Sequence, residues 1–101
     1  MTLMDDVEVT KGRIPAPWAE LRRRLLTRVF YAHPEEDVAS SVDLVADGYL
    51  DSMSVLVVLG MFDEELGEAV ALQQARIPDT ATLDAMGALY ERLLESRAPG
   101  A

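Results

Sequence analysis

Ser52 is the residue of this chain whose setting suggests chemistry. It directly follows Asp51, at the end of the stretch Asp47-Gly48-Tyr49-Leu50-Asp51, and stands where a helix is predicted to begin. A serine hydroxyl works as a catalytic nucleophile only with a base to take its proton and donors to hold the oxyanion. The surroundings are not G-x-S-x-G and lack a strand–turn–helix context. The single histidine, His33, falls in a predicted loop with no fixed relation to Ser52. The residues therefore argue against a hydrolase. The acidic stretch also invites comparison with a calcium loop, D-x-[DN]-x-[DN]-G-x₅-E, started at Asp43. Asp47 and Gly48 fit that pattern, but Val45 and Ser54 fail at its third and last positions. No catalytic residue and no metal ligand is assigned. The absence of cysteine excludes disulfides, thiol catalysis and cysteine-ligated metal.

The helix that must position Ser52 is predicted from Ser52 to Leu66. Asp51 is its N-cap, accepting from a free backbone amide, and Gly67 is its stop, able to take the left-handed conformation past the last turn. Val55, Leu59, Phe62 and Leu66 form one apolar stripe, flanked by Leu56 and Val58. Met53, Val57 and Met61 form a second stripe, roughly opposite, beside Gly60. One stripe faces a core; the other is expected to be a docking surface.

An earlier helix is predicted over about Pro17 to Tyr31, with Trp18, Leu21, Leu25 and Val29 on one face and Leu26 and Phe30 beside it. His33-Pro34 ends it, because the residue before proline avoids helical geometry. Residues 35–50 show no clear period and are expected to be a loop pinned by Val38, Val42, Leu44 and Val45. One short helical turn is expected within Gln73 to Ile77, before Pro78. A last helix should start after Thr80 or Thr82, with Leu83, Met86, Tyr90, Leu93 and Leu94 as its core face. The chain thus reads as all-α, three longer helices plus one short one. Residues 1–16 read as a flexible tail, 17–96 as the domain and 97–101 as a C-terminal tail.

A chain of 101 residues, half of them hydrophobic, has room for one core. No apolar run reaches the roughly 20 residues of a membrane span. The first residues lack the basic start and apolar centre of a signal peptide, so a cytoplasmic protein is expected. The net charge is −9, and no Lys or Arg occurs between Val29 and Ala75. Such a surface repels nucleic acid and anionic lipid and suits basic protein patches.

Asp51-Ser52-Met53, the turn at Asp47-Gly48, the acidic loop and a helix closing on Asp63-Glu64-Glu65-Leu66-Gly67 together resemble the acyl carrier protein family. In that family a serine in an Asp-Ser-Leu or Asp-Ser-Met motif carries 4′-phosphopantetheine. The resemblance covers about residues 17 to 96, and Leu83 after Thr82 answers to the usual start of the family's last helix. The stretch from Asp47 to Met53 looks especially like stand-alone D-alanyl, aminoacyl and peptidyl carriers. The resemblance implies a four-helix bundle that is no enzyme itself. It implies that Ser52 is the attachment point, at the positive end of a helix and beside free amides. The arm would come from coenzyme A through a phosphopantetheinyl transferase. An acyl- or aminoacyl-activating ligase would load it, and a downstream acyltransferase or condensing enzyme would unload it. Where the fatty-acid members have an acidic residue one turn past the motif, this chain has Val57. Docking is therefore expected through Met53, Val57 and Met61, with Glu64 in the acidic end keeping an electrostatic share. The protein is expected to be a monomer. The alternative is a non-carrier helical interaction module that uses the Met53/Val57/Met61 face permanently.

Overall fold

The computed structural model describes residues 14–96; residues 1–13 of the tail expected over 1–16, and the tail expected over 97–101, lie outside them. Among the described residues the chain is all-helical: α1 (Trp18–Arg28), α2 (Glu35–Ser40), α3 (Ser52–Leu66), α4 (Ala71–Gln74), a 3-10 turn (Ile77–Thr80) and α5 (Leu83–Ser96). None of these helices is long and apolar enough to cross a membrane.

The long helices follow their apolar spacing. α1 buries Leu21 and Leu25, and α5 buries Leu83, Met86, Leu89, Tyr90 and Leu93, with Leu94 half-buried at the edge. α1 stops at Arg28, short of the expected Tyr31; Phe30 then turns fully into the core while Tyr31 points to solvent. α5 packs against α1, α2 and the 3-10 turn, and α3 packs against α4. An aromatic cluster joins the three long helices. Phe62 and Tyr90 rings lie 5.2 Å apart, and Trp18 meets Phe62 edge-on at 6.1 Å. Gly87 allows α1 to approach α5, since a Cβ there would lie 2.6 Å from Trp18 Nε1.

α2 lies where a loop was expected. Its N-cap is Pro34, and Glu35, Glu36 and Asp37 fill its first turn, where acidic side chains favour the helix dipole. Six residues with one buried side chain, Val38, are too short to reveal a period. Of the four expected anchors in this region, Val38 and Leu44 are fully buried. Val42 and Val45 are not: they are 84% and 50% exposed. Leu50 is buried in their place.

The short turn expected within Gln73 to Ile77 is instead two pieces. α4 starts earlier, at Ala71, and the 3-10 turn begins at Ile77. Asp63 explains the first: its carboxylate accepts from the amides of Val70 and Ala71, which opens α4.

The boundary of the body also moves. Ala16, expected in the tail, is buried, donates its amide to Glu65 Oε2 at 2.6 Å and accepts the Tyr90 hydroxyl at 2.6 Å.

Candidate functional site around Ser52

Ser52 is the first residue of α3 and is exposed. Asp51 caps the helix as expected, accepting the Ser54 amide at 2.8 Å. That amide, then the Ser54 hydroxyl, and to a smaller degree the Met53 amide, hold the Asp51 carboxyl below the usual carboxylate range. Asp51 thus takes one of the amides expected beside Ser52, that of Ser54, through its side chain, and its carbonyl takes the Val55 amide. The Ser52 hydroxyl makes no hydrogen bond with any described residue.

The approach to Ser52 is a rigid turn. Leu44 donates its amide to Ala81 at 2.8 Å, which ties the turn to the start of α5. Tyr49 and Leu50 return their amides to the Leu44 carbonyl. Asp47 accepts the Ser41 hydroxyl at 2.6 Å, and Asp43 accepts the Ala46 amide at 3.1 Å. Gly48 sits at φ 85°, in the region that favours glycine. These aspartates are therefore spent on the turn itself. No cluster of metal-ligating side chains occurs among the described residues.

A groove of about 680 Å³ runs beside Ser52. α3 lines it through Val55, Leu56 and Leu59; Arg76, Ile77 and Thr80 line it too, as do Val45 and Ala46. His33 is not part of it. Its ring lies edge-on against Tyr49, with centroids 4.8 Å apart.

The residues expected to dock divide. Met53 is 72% and Val57 51% exposed. Met61 is half-buried and packs against the core, and Leu56, expected beside the core stripe, is exposed instead. At 3.6 residues per turn, positions 53, 56, 57, 60 and 64 share one side of α3, while 61 drifts toward the core edge. The exposed face is therefore Met53, Leu56 and Val57, with Glu64 exposed beyond them.

The acidic end is smaller than it reads. Asp63 caps α4, and Glu65 is buried against Arg24 Nη1 at 2.8 Å and the Ala16 amide. Two carboxylates raise the Arg24 pKa, Glu65 more than Glu20. Of the three, Glu64 is the one exposed to solvent.

The sequence did not point to Arg76 or Ile77 as neighbours of Ser52. One signal was available: Arg76 is the only Lys or Arg from residue 29 to residue 91. No protein-family model matches the chain, and no curated protein or solved structure matches it either.

Proposed function

We propose that the chain is an acyl or aminoacyl carrier protein, with 4′-phosphopantetheine attached through Ser52 and no catalysis of its own. The observation that carries the reading is the exposed, unengaged hydroxyl of Ser52 at the first position of α3, beside an open groove. The residues present fit such an attachment. The hydroxyl is open to an incoming enzyme, no neighbouring side chain competes for its proton, and the hydrogen-bonded turn before it fixes where it points. When bound, the arm supplies a thiol that holds an acyl or aminoacyl group as a thioester, chemistry that a cysteine-free chain lacks.

In this reading α1, α3, α5 and one short helix are the four-helix bundle of the family. Asp51 holds α3's first turn in shape, and Met53, Leu56 and Val57 provide the apolar contact for a transferase, a loading ligase and an acyltransferase or condensing enzyme. Glu64 adds one charge to that contact. The protein works as a monomer in the cytoplasm.

The test is incubation with coenzyme A and a permissive phosphopantetheinyl transferase, followed by intact mass. One arm should add to the wild type and none to Ser52→Ala. An unchanged wild-type mass refutes the reading. The exposed face of Met53, Leu56 and Val57 also favours a second reading, a permanent interaction module. A tight stoichiometric complex that survives Ser52→Ala would support that one.

A further inference from the structure

The groove beside Ser52 is apolar along most of its length but contains one cation. Arg76 lines it and is exposed. Its backbone amide donates to Asp79 Oδ2 at 2.8 Å, while the other oxygen of Asp79 meets Arg92 at 3.4 Å. The carboxylate next to Arg76 in the fold is therefore shared with another arginine. No ion pair links the Arg76 guanidinium to a described residue. It is also the sole positive charge in a long acidic stretch of sequence.

The remaining charges limit where an anion can lie. Asp43 lines the groove near Val45 and Ala46, and its carboxylate is held there by the Ala46 amide. Asp51 directly precedes Ser52 and is exposed. Both repel an anion, which leaves the Arg76 side of the groove as the favourable place. Val55, Leu56, Leu59 and Ile77 offer apolar surface along the way. A groove of this volume lies within the range of small-molecule sites, about 300–1,000 Å³. Apolar walls with one guanidinium match a ligand with an apolar body and an anionic end, because guanidinium pairs with carboxylate through two parallel hydrogen bonds.

Resting on the reading of Ser52 as the attachment point, we propose that the cargo class is an acyl chain ending in a carboxylate, which Arg76 holds in this groove. Arg76 is then a specificity-determining residue that distinguishes such a cargo from a neutral chain of the same length.

The test uses the full chain and two coenzyme A thioesters of equal length, octanoyl and its dicarboxylic counterpart suberoyl. With the permissive phosphopantetheinyl transferase, the Ser52 hydroxyl displaces adenosine 3′,5′-bisphosphate from each thioester, and intact mass of the wild type against Ser52→Ala first establishes that each group has been transferred to Ser52. The readouts are the Arg76 Nε–Hε resonance, the Thr80 and Ala81 amide resonances, and the rate of thioester cleavage by hydroxylamine. The suberoyl form should shift the Arg76 resonance and resist cleavage about threefold better than the octanoyl form, the scale of one solvent-exposed ion pair. Arg76→Gln should abolish that difference, and Arg76→Lys should retain part of it. Equal behaviour of the two cargoes in the wild type overturns the proposal. So does a difference that persists in Arg76→Gln. An equal shift of the phosphodiester phosphorus resonance in Arg76→Gln with both cargoes, without any cargo difference, assigns Arg76 to the phosphodiester and also overturns it. Failure of any mass gain removes the attachment reading itself; mass gain without cargo discrimination removes only this inference.

Discussion

Asp51 and Ser52 are adjacent in sequence but do different work. Asp51 is bonded into the first turn of α3, while Ser52 is left open. The cap has a pH signature. Its folded pKa is depressed, so its stabilisation is fully present above the unfolded carboxyl pKa, about 3.9, and is lost as pH falls through the folded value. Asparagine caps helices comparably and does not titrate. Urea unfolding of the wild type and Asp51→Asn should therefore show a stability difference that moves toward the variant as pH drops below about 3.9. A difference that stays constant from neutral pH down to strong acid would show that the charge of Asp51 plays no part. The same residue-scale logic separates the carboxylates after Phe62. Asp63 and Glu65 read as surface charge in the sequence. They are held by the amides that open α4 and by Arg24, respectively, leaving Glu64 to solvent.

At the scale of the element, α3 is a two-faced helix. Val58, Leu59, Phe62 and Leu66 are buried, and Met53, Leu56 and Val57 are exposed. Leu59 is 6% exposed, so Leu59→Ala should destabilise the protein by about 2–5 kcal/mol in urea or thermal unfolding. Val57→Asp should leave the unfolding midpoint nearly unchanged and, on the carrier reading proposed above, slow modification of Ser52 by a phosphopantetheinyl transferase. If Val57→Asp unfolds the chain, the exposed face has been misassigned. The two stripes were legible in the sequence because a helix of fifteen residues repeats its pattern four times over. Their edges were not. Met61 and Leu56 exchange roles because a boundary position is settled by what packs against it.

Across the whole molecule, Ala16 ties the N-terminal segment to two helices at once. Its amide meets Glu65 on α3 and its carbonyl meets Tyr90 on α5, residues 49 and 74 positions away. Tyr90 is fully buried, so Tyr90→Phe leaves the Ala16 carbonyl without that donor. The variant should lose about 1–3 kcal/mol in equilibrium unfolding, the cost of a buried group deprived of its partner. Unchanged stability would mean that the Tyr90 hydroxyl does not contribute to holding the segment on the body.

The sequence by itself determined what repeats or what a single residue type dictates. Helical spacing placed α1, α3 and α5, and Asp51 and Gly67 set both ends of α3, because capping and left-handed geometry are local. Tertiary structure alone decided α2, the burial of Glu65, the exposure of Val42 and the lining of one groove by both Arg76 and Ser52. Each depends on a neighbour distant in sequence, or on a segment too short for periodicity to register. Side chains of the same type are buried or exposed according to which surface the folded chain brings opposite them.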